Sequence, residues 1–253
     1  MEDKVKIRWV DETDSTQDEL RRRFPEHDNL SVTAAVFQTA GRGQRGNRWT
    51  SGRGLNLTFS MLLKFGEGGF PALGVSRQFE ITKAATLGVV SYLEGKGVEP
   101  SIKWPNDIYV RDKKICGMLV ENVLDGDKLS HSFVGIGLNM NQREFDPSLT
   151  NPVSLSKLTG EEYDLKPELE TLASLLAESF RRFLGEGGTA LTGDREYENR
   201  LYRKGRFHDY VSREDGKVFQ GKIIGVSPEG KLLVVNRKGE LNEFAFKEIN
   251  FII

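Results

Sequence analysis

The sequence predicts an α+β chain of two domains: a larger unit of mixed helices and strands over residues 1–204, then a small β-barrel over residues 205–253. Three observations carry this expectation. Strand-like runs interleave with amphipathic helical stretches through the first two hundred or so residues. Beyond Gly205 only short β-rich runs remain, separated by the turn signals Asp215-Gly216, Pro228-Glu229-Gly230 and Lys238-Gly239. A length of 253 residues suffices for one large core with a small satellite.

Taken in order, residues 5–10 alternate as a short strand. Asp14-Ser15-Thr16 then precedes a helical stretch ending near Phe24-Pro25, with Thr16 and Glu19 spaced as a capping box. Residues 32–38 are β-rich, and Leu55, Leu57, Phe59, Met61 and Leu63 alternate with Asn56, Thr58 and Ser60 to predict a strand over 55–63. Val75, Phe79, Ala84, Ala85, Leu87, Val90 and Leu93 fit one face of a long helix ended by Gly95-Lys96-Gly97. Residues 102–110 and 115–123 read as a hairpin turning at 111–114, and 133–138 as a buried strand. After Pro152, Leu169, Leu172, Leu176, Phe180, Phe183 and Leu184 form the apolar face of a helix starting near Pro167, with a second helix over about 194–203. In the barrel, strands are expected at 210–211, 218–226, 232–235 and 241–246.

Composition narrows the function. The net charge of -1 makes any arginine cluster a local feature and disfavours a nucleic-acid-binding surface. The single Cys116 cannot form an internal disulfide, and the start carries no signal-peptide pattern, so a cytoplasmic protein is expected. No apolar run approaches the roughly 20 residues that span a bilayer, so no membrane role is expected.

The most informative segment is residues 41–49, Gly-Arg-Gly-Gln-Arg-Gly-Asn-Arg-Trp, lying between two predicted strands. Glycines let backbone approach a ligand, and guanidinium groups offer forked donors to phosphate or carboxylate oxygens. Gly41, Gly43 and Gly46 satisfy G-x-G-x-x-G, but a dinucleotide fingerprint should open a helix and here a strand follows. A P-loop would continue Lys-Ser or Lys-Thr where the chain has Asn47-Arg48, and no His-Arg-Asp or Asp-Phe-Gly triplet supports a kinase. A solvated flexible loop is the plain alternative.

A second constellation is Lys103-Trp104-Pro105-Asn106-Asp107, followed by Lys114-Ile115-Cys116-Gly117. Antiparallel pairing would bring Lys103 and Lys114 towards one site, suiting a substrate with separated anionic centres such as ATP plus a carboxylic acid. Asp14-Ser15-Thr16, Gln38 through Trp49, Lys103 to Asp107, Lys114 to Gly117 and Gly135-Ile136-Gly137-Leu138-Asn139, in this order and spacing, together resemble the biotin protein ligases (biotin-[acetyl-CoA-carboxylase] ligases). The resemblance runs from about residue 5 to the C-terminus and is strongest over 14–141.

That resemblance implies a mixed β-sheet catalytic domain similar to class II aminoacyl-tRNA synthetases, followed by an SH3-like β-barrel. It implies activation of biotin with ATP to biotinyl-5'-adenylate, then transfer of the biotinyl group to a lysine of a biotin carboxyl carrier domain. Arg42 then belongs to a loop closing over biotin and the adenylate, with Gly41, Gly43, Gln44, Arg45, Arg48 and Trp49 beside it. Lys114 matches a lysine contacting the biotin carboxyl oxygen and the α-phosphate, and Lys103 another near the phosphates. Ser15, Thr16 and Gln38 match positions bonding the ureido ring, Gly117 and Gly135 border it, and Asn139 lies near the adenylate. Asn106 and Asp107 orient the site or reach Mg²⁺, Asp107 being the candidate metal contact and ATP phosphates the main ones. His27, His131 and His208 lie too far apart in sequence to suggest a dedicated metal cage.

Cys116 is expected to fill a strand rather than act as a nucleophile. The loop over 41–54 is expected to be mobile when empty, because its arginines have no evident compensating charges. Gln44 stands where some relatives carry a further arginine. Only about a dozen residues precede Asp14, so the monofunctional form without a DNA-binding domain is expected, and no DNA partner. A homodimer is left open. The rival readings are a lipoate or octanoate protein ligase and a non-catalytic ligand-sensing or nucleic-acid-binding module.

Overall fold

The computed structural model describes residues 5–186 and 190–253. Strand β1 (Ile7–Thr13) leads into helix α1 (Thr16–Arg22), which returns the chain to β2 (Val32–Gln38), parallel to β1. The helix starts where Ser15, in extended conformation, accepts the Gln17 N–H on its hydroxyl. Ser15 is therefore the N-cap, and the expected Thr16/Glu19 capping box does not form, since Glu19 is drawn away by Arg8 and Arg22. Asp14 holds this corner, accepting the Ser15 N–H at 2.7 Å and a forked pair from Arg22 at 2.8 and 2.9 Å.

The glycine-arginine segment connects β2 to β3 (Leu57–Lys64). After helix α2 (Phe79–Gly95) come β4 (Pro100–Lys103), β5 (Asp107–Val110), β6 (Lys113–Asp125) and β7 (Lys128–Leu138). The expected single strand over 102–110 is thus two strands. Pro105 has no N–H to continue a ladder, and the chain turns through Trp104-Pro105-Asn106, so that Lys103 faces Asp107. Helices α3 (Leu155–Thr159), α4 (Leu165–Leu184) and α5 (Ala190–Asn199) complete this part; α3 was not anticipated.

These strands form a seven-stranded mixed sheet, in the order β1-β2-β3-β7-β6-β5-β4. Period-two alternation sorts its two faces. Leu57, Phe59, Met61 and Leu63 of β3 and Val134, Ile136 and Leu138 of β7 join the main core with α2 and α4. Fully burying each such side chain contributes roughly 1.5–3 kcal/mol. On the opposite face, Leu62 and Phe133 pack under Leu20 of α1, and beyond them lie the cross-strand rows Thr58-Gly137-Gly117 and Ser60-Gly135-Leu119. Apart from Leu119 these positions carry small side chains or none, and a cleft remains there.

The C-terminal residues form a separate antiparallel sheet of five strands, β8 (Phe207–Ser212), β9 (Val218–Val226), β10 (Leu232–Asn236), β11 (Leu241–Phe244) and β12 (Ile249–Phe251), ordered β11-β10-β9-β8-β12. β12 was not expected; three residues are too short for a period-two signal. Trp104 locks the two sheets together, donating from Nε1 to the Gly230 carbonyl at 2.9 Å and meeting Phe246 edge-on. Among the described residues no helix is long and apolar enough to cross a membrane.

Candidate active site

A cleft of about 620 Å³ opens on the glycine-rich face of the large sheet, closed on one side by the C-terminal sheet. Gly117 and Gly137 are direct cross-strand partners, and the Trp49 indole lies across them. A Cβ on Gly137 would overlap the indole, and one on Gly135 would overlap the Gln17 carboxamide, so these positions admit no side chain while their neighbours stay in place. The glycines thus make a flat slot. Trp49 Nε1 and Gln44 Oε1 are buried without a hydrogen-bond partner, two unused polar atoms on the same loop.

One end of the cleft is polar and neutral. Thr16 N–H donates to Gln38 Oε1 at 2.8 Å, and the Thr16 hydroxyl shares a 2.9 Å bond with Ser60, which donates to Gln17 Oε1 at 3.3 Å. Helix α1 presents Ser15, Thr16 and Gln17 here because its N-terminal turn points at the sheet. The other end is cationic. Lys114 pairs with Asp107 at 2.8 Å, and its ammonium lies 5.8 Å from the Trp49 ring centroid. Lys103 stands 5.4 Å from the Tyr109 ring and 4.9 Å from that of Phe251. Burial, aided by the positive Lys114, lowers the Lys103 pKa below its ordinary value, against the pull of Asp107.

The loop between them is a tight hairpin, in which Gly43 N–H donates to the Asn47 carbonyl at 2.7 Å and Trp49 N–H to Gly41 at 3.0 Å. Its arginines are not all uncompensated, as the sequence led us to expect. Arg42 donates to Asp18 at 2.9 Å and to Glu121 at 2.7 Å, pinning the hairpin to α1 and β6. Burial pushes the Glu121 carboxyl up, but bonds from Arg21 and Gln17 and the charge of Arg42 outweigh it and hold the group below the usual range.

Of the residues expected at the site, Ser15, Thr16, Gln38, Arg42, Gly43, Gln44, Arg48, Trp49, Lys103, Asn106, Asp107, Lys114, Gly117 and Gly135 line this one cleft. Gly41 is buried just behind it, against the Trp49 carbonyl. The Arg45 side chain lies outside the described residues. Asn139 is not brought to the cleft: its amide donates to the Val153 carbonyl at 3.0 Å, and its backbone bonds Ile115 and Leu155, which makes it a clamp on the following segment. Asn106 is pinned by a 2.5 Å bond to the Met118 carbonyl. Cys116 is buried in β6 with its thiol pushed up by burial, so it offers no nucleophile.

The sequence profile of the Biotin/lipoate A/B protein ligase family matches residues 9–139, more than half of the chain. The chain belongs to this family. Within the biotin/lipoate ligase family it is similar, at 28% identity and a TM-score of 0.78 over 98% of both chains, to the biotin protein ligase from Aquifex aeolicus solved in complex with biotin and ATP. It is 31% identical to the biotin-[acetyl-CoA-carboxylase] ligase of Paracoccus denitrificans over 65% of this chain and 69% of that one. It is 29% identical to the bifunctional ligase/repressor BirA of Bacillus spizizenii over 91% of this chain and 68% of that one. The bifunctional relatives are longer, and this chain spans 62% of that from Bacillus subtilis.

Some cleft residues of this ligase-family chain escaped sequence reasoning. Gln17 follows the Ser15-Thr16 pair, and its contacts with Ser60 and Gly135 show that it faces inward. Arg213, Lys247, Asn250 and Phe251 come from the C-terminal sheet, whose approach to the cleft no local pattern announces.

Proposed function

We propose that this protein activates biotin with ATP to biotinyl-5'-adenylate and transfers the biotinyl group to a specific lysine of the biotin carboxyl carrier domain of a biotin-dependent carboxylase, in the cytoplasm. The reading is carried by one arrangement: a neutral hydrogen-bonding end and a cationic end share a cleft floored by glycines, with the Trp49 indole lying on that floor. Biotin has a matching form, with a ureido ring, an apolar chain and a carboxylate. The complexes of biotin and ATP in a relative matched over the full length support it.

In the first step a carboxylate oxygen of biotin attacks the α-phosphorus. An O–P bond forms, the bond to the bridging oxygen breaks, and its electron pair leaves with pyrophosphate. Ser15, Thr16 and Gln38 fix the ureido end, while Lys114 neutralises the approaching carboxylate and α-phosphate. Asp107 keeps the Lys114 ammonium in place through their 2.8 Å pair. In the second step the acceptor amine attacks the acyl carbon, the bond to the phosphate oxygen breaks, and AMP departs as the amine loses its proton to solvent. Trp49 and the 41–49 hairpin keep water from the anhydride.

Asp107 is the single carboxylate among the described lining residues, and no described group of three His, Cys, Asp or Glu could hold a metal. These residues fit a Mg²⁺ ion carried by the phosphates with Asp107 as its one protein contact, where it would neutralise phosphate charge. We further read residues 1–204 as the catalytic domain, of class II synthetase type, and 205–253 as an SH3-like barrel.

Biotin-dependent exchange of labelled pyrophosphate into ATP tests the function. Exchange with biotin and none with lipoate or octanoate is expected. Exchange with lipoate or octanoate alone would reassign the substrate.

A further inference from the structure

The neutral end of the cleft is organised around one carboxamide. Gln17, buried in the first turn of α1, closes over Gly135. Its Nε2 points at three groups: the Leu119 carbonyl at 3.4 Å, the Phe133 carbonyl at 3.3 Å and Glu121 Oε2 at 3.0 Å. All of them only accept, since two are backbone carbonyls and the Glu121 carboxylate is paired with Arg21 and Arg42. The amide therefore has one orientation, with Nε2 towards β6 and β7 and Oε1 turned to the Ser60 hydroxyl at 3.3 Å.

That orientation carries on through the hydroxyls beyond it. A carboxamide oxygen cannot donate, so the Ser60 hydroxyl hydrogen goes to Gln17 Oε1. In the 2.9 Å contact between Ser60 and Thr16 the donor is then Thr16. Its only hydroxyl hydrogen is spent inward, and what Thr16 Oγ1 offers the cleft is lone pairs. The neighbouring groups have the opposite polarity. Ser15 Oγ already accepts the Gln17 N–H at 3.2 Å, which leaves its own hydrogen to donate. Gln38 Oε1 already accepts the Thr16 N–H, which leaves its amide hydrogens. An acceptor at Thr16 beside donors at Ser15 and Gln38 complements a ligand that carries an N–H next to a C=O.

We propose that Gln17 is a positioning residue for the biotin ring: by fixing the order of protons along Thr16, Ser60 and Gln17 it makes Thr16 Oγ1 an obligatory acceptor for a ureido N–H. This rests on the biotin-activating function proposed above. Selection then works by polarity as well as shape. A ring of the same outline with oxygen in place of that N–H sets lone pairs against lone pairs at a buried hydroxyl, where neither finds a partner. Lipoate and octanoate bring no N–H at all.

The test uses the full chain with two variants. Gln17→Met keeps a side chain of similar length over Gly135, and Ser60→Ala is a smaller change that cuts the hydroxyl chain at its middle. Pyrophosphate-ATP exchange is driven by biotin and by the two cyclic carbamates in which one or the other ureido N–H is replaced by oxygen. The wild type should use at least one carbamate with a kcat/KM about a hundredfold below that of biotin. In both variants Thr16 is free to turn its hydrogen to the cleft, so the difference should shrink to below about tenfold, with the KM for biotin raised and the KM for ATP within about twofold of wild type. Loss of packing alone would weaken use of biotin and carbamate together and leave their ratio as it was. An unchanged ratio in either variant would overturn the proposal, as would equal use of biotin and both carbamates by the wild type. Absence of biotin-dependent exchange in the wild type would instead overturn the underlying function, before any analogue or variant is compared.

Discussion

Arg42 and Glu121 face each other at the edge of the cleft, Nη2 to Oε1 at 2.7 Å, and the same carboxylate also receives Arg21 at 2.8 Å and Gln17 at 3.0 Å. Glu121 therefore joins the 41–49 hairpin to the helix that presents Ser15 and Thr16. Partly exposed pairs of this kind contribute about 0.2–1 kcal/mol each. Glu121→Gln should release the hairpin modestly, raising the rate of tryptic cleavage within residues 42–48 by about two- to fivefold. Biotin plus ATP should protect both proteins. Equal cleavage of variant and wild type without ligands would show that the pair does not tether the loop.

In the proposed mechanism Lys114 neutralises the approaching carboxylate and α-phosphate. Lys114→Ala should lower pyrophosphate-ATP exchange by about 10²–10³-fold, the usual scale for losing one charge-stabilising donor. The fold should persist, because the Lys114 backbone keeps its bonds to Asn151 and Val153. Near-normal exchange would remove Lys114 from the mechanism.

Lys103 gives a pH signature. Its folded pKa lies below 10.5, the ordinary lysine value, with burial as the leading cause. Between that lowered value and 10.5 the unfolded chain holds more protons than the folded one, so the penalty for burying the charge fades and stability rises with pH across this window. Activity should run the other way, since the neutral amine no longer attracts phosphate. Exchange rates measured against pH should fall on the alkaline side before an ordinary lysine titrates, and Lys103→Arg should move that limb upward. An identical alkaline limb in the variant would sever the link.

The glycine floor is testable by a single methyl group. Gly137→Ala places a Cβ inside the Trp49 indole, which must move off the slot. The KM for biotin should rise by about tenfold or more, with loss of roughly 1–3 kcal/mol in denaturant unfolding from overpacking. Trp49→Ala combined with Gly137→Ala should recover part of that stability. An unchanged KM in Gly137→Ala would mean that ligand does not use this floor.

Much of this could be read from the chain beforehand, for identifiable reasons. β3 announced itself because Leu57 to Leu63 alternate faces, and α4 because its apolar residues recur at helical spacing. The motifs that named the family are local, so Ser15, Gln38, Lys103 and Lys114 were found without knowing the sheet order. The failures are non-local or too short. The 102–110 run looked continuous because Ile102, Ile108 and Val110 are strand formers, although Pro105 interrupts the ladder. Asn139 ends the Gly135-Ile136-Gly137-Leu138-Asn139 run, and no local pattern shows that its amide turns to Val153. Asp18 and Glu121, 103 residues apart in sequence, are bridged by Arg21 and Arg42 because α1 lies on the sheet. Arg213 and Lys247 reach the cleft through the packing of the second sheet against the first, which Trp104 and Phe251 help to hold.

The indole spread over Gly117 and Gly137 has a practical consequence. Trp49 is one of three tryptophans; Trp9 belongs to an edge strand, and Trp104 is bonded between the sheets. Only Trp49 combines a floor of bare backbone, an unpartnered Nε1 and the Lys114 ammonium 5.8 Å from its ring centroid. Anything entering the slot changes its polarity and its neighbours at once. The chain therefore carries its own optical gauge of occupancy, with Trp9 on the edge strand as background and no label needed.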